Sequence, residues 1–240
     1  MLLFLSCKQY KNNKISRYNF TNKDTIEANG YVLSFENTDS FPETDIYGDL
    51  KLRKLLTDTI YNSHQQAQRI QAYLLDKNRK YFFEKDSSVN LILSNGELLK
   101  FPYWDSVNFE GFNFVHYFKE INYYLLSVQW EEGNCWMLVN RNNGFKTYLI
   151  GLPYISEDKK HIVSINSDLE AGFSYNGIQF FSILKDSLRK DFTVETSFGP
   201  TDVKWVSNNQ FLIKREHFNS NATDNNYYSY DFKKVSIFKK

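Results

Sequence analysis

The sequence predicts a mainly β protein, with propeller-like or sandwich-like antiparallel sheets and an N-terminal helical segment. Three observations carry this. From about residue 81 onward, short runs of β-branched and aromatic residues alternate with Asn, Gly, Asp and Ser, with turn signals roughly every 8–12 residues. Aromatics make up 18% of the 240 residues, with 21 Phe, 17 Tyr and 4 Trp, which separates the chain from disordered sequences. A single tract, residues 49–76, repeats apolar residues at helical steps of three and four.

Residues 25–48 hold one strand signal, Tyr31-Val32-Leu33-Ser34-Phe35, followed by turn-forming Asn37, Asp39, Pro42 and Gly48. In the helical tract, Leu52, Leu55, Leu56, Ile60, Ala67, Ile70 and Leu74 supply the apolar stripe, and Asp49 is a candidate N-cap. Tyr61-Asn62-Ser63 interrupts the stripe, so the tract divides into two helices. Ser63, with Gln66 three residues later, opens the second as a capping box. His64, Gln65, Gln68, Arg69 and Gln71 read as its solvated face.

Beyond it, Asn90–Leu93 and Glu97–Lys100 flank Ser94-Asn95-Gly96, a hairpin signal. Tyr123–Trp130, Cys135–Val139 and Lys146–Ile150 read as a three-stranded meander, joined by turns at 131–134 and 140–144. Further strands are expected at His161–Ile165, Gly177–Leu184, Phe192–Glu195, Val203–Val206, Phe211–Lys214 and Val235–Phe238. Cys135, in an apolar run, reads as an inert buried thiol.

One spacing repeats. Leu152-Pro153-Tyr154-Ile155-Ser156-Glu157-Asp158-Lys159-Lys160-His161-Ile162-Val163 reads as strand, polar turn, strand, and residues 199–213 read likewise, with Pro200 lying 47 residues after Pro153. Propeller blades repeat at roughly 40–50 residues. The first copy resembles the proline, aromatic, serine, aspartate, lysine pattern of TolB-like and WD40-like propeller blades. The sequence departs from that pattern in lacking a glycine in either turn and a Trp-Asp dipeptide. A closed propeller takes at least four blades of four strands. The region after residue 85 supplies three to four, so a small ring, an open ring completed by the N-terminal segment, and a sandwich all remain open.

Lys plus Arg number 29 and Asp plus Glu 28, a formal net charge of +1, which argues against a nucleic-acid binder. No stretch approaches 18 consecutive apolar residues, so no transmembrane helix is expected. Met1-Leu2-Leu3-Phe4-Leu5-Ser6-Cys7 is a short apolar run that gives way to polar and basic Lys8, Gln9, Lys11, Lys14 and Arg17. Leu5-Ser6-Cys7 resembles the end of a bacterial lipoprotein signal, in which the cysteine is lipidated and becomes the first mature residue. Its basic start and half its apolar stretch are missing, so the signal is expected to begin upstream of Met1. With Cys7 lipidated, Cys135 would have no partner for an intrachain disulfide.

Glu131-Glu132-Gly133-Asn134, Leu138-Val139-Asn140, Gly144, Pro153, Asp168–Gly172 and Asn176-Gly177 together resemble uncharacterised bacterial exported lipoproteins with a propeller-like domain. That resemblance implies a propeller-like fold and no assigned activity. The expected organisation is a signal remnant at 1–7, a flexible tether at 8–24, a helix-containing segment at 25–84 packed on the β body, and an antiparallel propeller-like domain at 85–240.

No phosphate loop, zinc-protease helix, paired Cys-x-x-Cys or nucleophile elbow occurs, and His64, His116, His161 and His217 lack metal-ligand spacing. Neither a cofactor nor a metal is expected. Asn166, Asp168, Glu170 and Asn176 crowd one turn-rich segment and form a candidate ligand or cation loop, or a turn whose side chains bond their own backbone. Tyr103, Trp104 and Phe112 lie in an aromatic-dense region and are candidates for a glycan- or peptide-binding surface, or for core. The expectation is a non-catalytic binding or interaction module. It would be lipid-anchored to a membrane of the bacterial envelope, facing periplasm or exterior, with a protein or glycan partner. An envelope hydrolase using Asp168 and Glu170, or a toxin-neutralising immunity lipoprotein, is the alternative.

Overall fold

A computed structural model describes residues 25–42, 63–107, 110–130, 133–219 and 227–240. The chain opens with β1 (Thr25–Ala28) and β2 (Tyr31–Asn37), followed by the helix α1 (Ser63–Asn78). Strands β3 (Phe82–Lys85), β4 (Ser88–Ile92) and β5 (Leu98–Pro102) come next. Then follow β6 (Gly111–Phe118), β7 (Tyr123–Trp130), β8 (Gly133–Asn140) and β9 (Lys146–Leu149). A third meander holds β10 (Leu152–Ile155), β11 (His161–Asn166), β12 (Gly177–Ile183) and β13 (Leu188–Glu195). The last strands are β14 (Gly199–Ser207), β15 (Gln210–Phe218) and β16 (Tyr228–Lys239). The strands form four antiparallel sheets ordered β3-β4-β5, β6-β7-β8-β9, β10-β11-β12-β13 and β1-β2-β16-β15-β14.

Two compact units result: residues 1–42 with 148–240, and residues 43–147. The first unit is discontinuous in sequence because β2 pairs with β16, matching Phe35 to Val235 and Leu33 to Ile237. One apolar core joins its two sheets, with Leu33, Phe35, Val163, Ile178, Phe180, Phe192, Phe211 and Val235 among its members. Asn29-Gly30 makes the β1–β2 turn with φ of 47° and 78°, as a two-residue hairpin with both central residues left-handed requires. Pro153 and Pro200 lie in β10 and β14, each an edge strand of its sheet. An edge tolerates proline because its missing N–H costs no ladder bond. The two copies of the sequence repeat are thus the β10–β11 and β14–β15 hairpins. Where the first copy lacks a turn glycine, Lys159 takes the left-handed conformation itself, at φ 59°.

In the second unit, α1 packs on β3 and β6 and buries Leu74 to 1% exposure. Phe82 stacks on Phe114 with centroids 3.7 Å apart, and Phe101 meets Phe112 at 5.4 Å. Tyr124 is fully buried, and its hydroxyl donates to the Ile92 carbonyl at 2.5 Å and accepts from Arg141 Nε at 3.1 Å.

The expected hairpin at 90–100 and the expected meander at 123–150 are present. Other expectations need correction. The helical segment does not precede the β structure, because β1 and β2 come before it and join the C-terminal strands. The helix starts at Ser63, where the capping box places it, while residues 49–62 fall outside the described residues. The compact units are bounded at 42/43 and 147/148, and β3 pairs with β4 across 84/85. Cys135 is buried in β8 as expected, but it is disulfide-bonded rather than a free thiol.

Candidate functional site

The segment 166–176 closes on itself. Asn166 Nδ2 donates to the Tyr175 carbonyl at 2.8 Å. The Asp168 carboxylate accepts backbone N–H bonds from Gly172 at 2.8 Å and Ser174 at 2.5 Å. Asn176 Oδ1 accepts from the Asp168 N–H at 3.1 Å, while its Nδ2 reaches the Thr196 and Phe198 carbonyls at 2.7 and 3.1 Å. These side chains replace backbone partners that an irregular loop lacks. Glu170 lies outside this net and accepts a hydrogen bond from the Tyr228 hydroxyl. The two carboxylates therefore serve different hydrogen-bond partners. Among the described residues no group of three or more His, Cys, Asp or Glu side chains is placed to hold a metal ion.

The three expected surface aromatics separate. Phe112 is 8% exposed and belongs to the core against Phe101. Tyr103 is hydrogen-bonded to Glu84, and its phenol is pushed up by burial first and by that carboxylate second. Trp104 alone is well exposed, at 50%. Cys7 lies outside the described residues.

A different aromatic surface emerges on the five-stranded sheet. Along β16, Lys233, Val235 and Ile237 point into the core, so Tyr228, Tyr230 and Phe232 share the opposite face. The register sets Phe218 opposite Tyr228, Glu216 opposite Tyr230 and Lys214 opposite Phe232. Phe218, Tyr228 and Tyr230 are 39%, 37% and 52% exposed. The Phe218 and Tyr228 rings lie 5.5 Å apart, and Tyr227 lies 6.3 Å from Phe218. Lys214 Nζ sits 4.4 Å from the Tyr230 centroid, within cation–π range. Phe41 stacks on Phe232 at 6.1 Å and lengthens the stripe. The Tyr228 phenol is pushed up to about 12, chiefly by its hydrogen bond to Glu170.

The other face of the same strands fixes this surface from below. Arg215 is largely buried, 4.7 Å from the Phe198 ring centroid, and pairs in fork fashion with Asp231, Nε to Oδ1 at 2.7 Å. His217 Nε2 lies 3.4 Å from the same carboxylate. Burial alone would raise Asp231, but the Arg215 and His217 contacts outweigh it and hold the carboxyl below its usual range.

No family model matches the chain. No curated protein matches it either. Among solved structures, the N-terminal domain of Nup159 matches 67% of this chain and 44% of that one, at 13% identity and a TM-score of 0.31. The chain spans under half of that structure, and a likeness this distant carries no argument about function.

Proposed function

We propose that the protein is an exported, lipid-anchored interaction module of a bacterial cell envelope, tethered at Cys7, that meets a protein partner on the outer face of β15 and β16. The single observation behind the partner surface is the contiguous exposed group of Phe218, Tyr228 and Tyr230 with Lys214 over Tyr230. Tyrosine offers large contact area at low entropic cost, and aromatic and cationic anchors dominate protein interfaces. The anchor rests on Leu5-Ser6-Cys7 and the basic, Asn-rich stretch after it. The successive meanders, the last completed by β2, support a propeller-like arrangement of blade-like sheets. Hydrolysis by Asp168 and Glu170 draws less support, because each carboxylate is already committed elsewhere.

Lipid attachment consumes the Cys7 sulfur, and Cys135 is the only other cysteine. An intrachain Cys135 disulfide and a lipidated Cys7 are therefore exclusive states of one molecule. Metabolic labelling with a palmitate analogue, with and without Cys7→Ala, decides between them. A label that depends on Cys7 supports the anchor, and an unlabelled product with an intact disulfide removes it. For the partner, a photo-crosslinking residue at Lys234, which is 39% exposed and shares the face of Tyr230 and Phe232, leaves the rings in place. One protein adduct in intact cells, lost on Tyr230→Ser, supports the reading; a glycan adduct, or none, overturns it. If that adduct is a toxin, the module is an immunity lipoprotein.

A further inference from the structure

A polar cluster sits where the β1–β2 turn meets β11, β12 and β13, at the rim of the core shared by the two sheets of the discontinuous unit. His161 opens β11 and stands opposite Ser182 of β12. Its ring lies over Phe180, with centroids 5.1 Å apart and planes at 21°. Its Nδ1 is buried and has no hydrogen-bond partner, while the Phe181 backbone bonds the ring. Next to it, the Asp191 side chain is only 4% exposed. Asp191 accepts from Ser182 Oγ at 2.6 Å and Arg189 Nε at 2.8 Å, and it bonds the Tyr31 phenol. Asn29 Nδ2 donates to the Asp191 carbonyl at 3.0 Å. Tyr31 in turn packs on Phe180 at 5.8 Å and Phe192 at 5.5 Å. Thus β13 holds the β1–β2 turn through Asp191, and His161 covers the aromatic ring beneath.

We propose that His161 is an acid-sensitive latch: neutral, it stays over Phe180 and leaves Asp191 to hold the Asn29–Tyr31 turn; protonated, it leaves the stack, draws on the Asp191 carboxylate and loosens that turn.

The reason is an imbalance of partners. Protonation turns the buried Nδ1 into a donor with no acceptor, a state that folded proteins avoid. The ring escapes it by rotating out, and the new cation lies beside a carboxylate that already has three side-chain partners. The charged or titratable groups around His161 are Asp158 and Lys160 on its own hairpin, Asp191 and Arg189 from β13, and Tyr31 from the turn. Burial lowers the imidazole, the two carboxylates partly oppose this, and Lys160 adds to the lowering. The neutral form is therefore the folded form, and the latch releases on the acid side of the ordinary histidine range.

The test is an NMR pH titration of the whole chain. His161 is expected to titrate below about 6.5, with the Asn29, Gly30 and Tyr31 amides shifting at the same midpoint. Protection of those amides should fall about tenfold across the transition, while Phe211 and Val235 in the core stay protected. His161→Phe keeps a ring over Phe180 and cannot titrate, so it should abolish the transition. A His161 midpoint at or above the ordinary value overturns the latch. So do turn amides indifferent to the His161 titration, or a transition that survives in His161→Phe. The titration of the unaltered protein decides the matter even if that variant folds poorly.

Discussion

Ser164 is expected to matter more than a small hydroxyl usually does. It is fully buried in β11, where its hydroxyl donates to the Gly151 carbonyl at 2.9 Å and accepts from the Gly151 N–H at 3.0 Å. Gly151 is buried at the link between β9 and β10, outside any strand ladder. The site has no slack. A Cβ on residue 151 would lie 1.7 Å from the Ile165 carbonyl oxygen, so residue 151 packs directly against β11. Ser164→Ala leaves the shape almost unchanged and removes both partners of Gly151. Each orphaned buried group costs about 1–3 kcal/mol, and partial relaxation leaves a total of about 2–4 kcal/mol. Against a domain stability of about 5–15 kcal/mol that is a large loss.

Urea unfolding with an unchanged m-value measures it, with exposed Ser229→Ala as a control expected to stay within about 0.5 kcal/mol. A Ser164→Ala loss under about 0.5 kcal/mol would refute the reasoning, because it would mean that Gly151 finds other partners at no cost.

Two further outcomes follow from the buried polar groups. Tyr124→Phe removes the donor to the Ile92 carbonyl and one acceptor of Arg141. Since Arg141 Nε also reaches Ile92, the expected loss in urea is the lower part of the charged-bond range, about 1.5–2 kcal/mol. Asp231 carries a depressed carboxyl, so its contribution is present above the unfolded carboxylate pKa and disappears as pH falls through the lower folded value. Asp231→Asn should therefore cost about 1 kcal/mol near neutrality, modest because the side chain is 40% exposed, and nothing near pH ~2. Urea midpoints at the two pH values check this, and an equal loss at both contradicts the ion pair.

Local pattern made most strands legible, because their signals are local. Tyr123–Trp130 and His161–Ile165 lie in interior strands and read as near-continuous apolar runs. The turn at Gly96, with φ 85°, has the residue its geometry demands. The Asn29-Gly30 turn carried the same kind of signal, yet β1 was not expected, because Thr25–Ala28 is too short to show a period. In β6 the register shifts between Phe114 and His116, so its alternation is broken and its rings read as a candidate surface rather than a strand. The pairing of β2 with β16 had no local signal at all, because its partners are some 200 residues apart. The aromatic face was hidden for another reason. Tyr124 and Tyr230 are chemically alike and both sit in strands paired with near neighbours in sequence, so only the covering of their faces separates them, Tyr124 being fully buried and Tyr230 52% exposed.

That long-range pairing also bears on the proposed tether. Thr25 pairs with Ser34, and Ser34 pairs with Ser236, so the chain enters the five-stranded sheet at the level of Ser236. Tyr230 lies six residues along β16 from that level, a distance of about 20 Å at the usual strand rise. An anchor drawing on β1 and a partner seated on Tyr228 and Tyr230 would use separate ends of one sheet, so docking and anchoring would not compete for the same surface. Tension from such an anchor would pass first into the short β1–β2 hairpin. The Asn29 and Tyr31 contacts with Asp191 hold the turn of that hairpin independently of the β2–β16 ladder. Loss of the Tyr31 bond to the Asp191 carboxylate in acid would weaken that hold, which makes the β1–β2 turn the place where load and pH would act together.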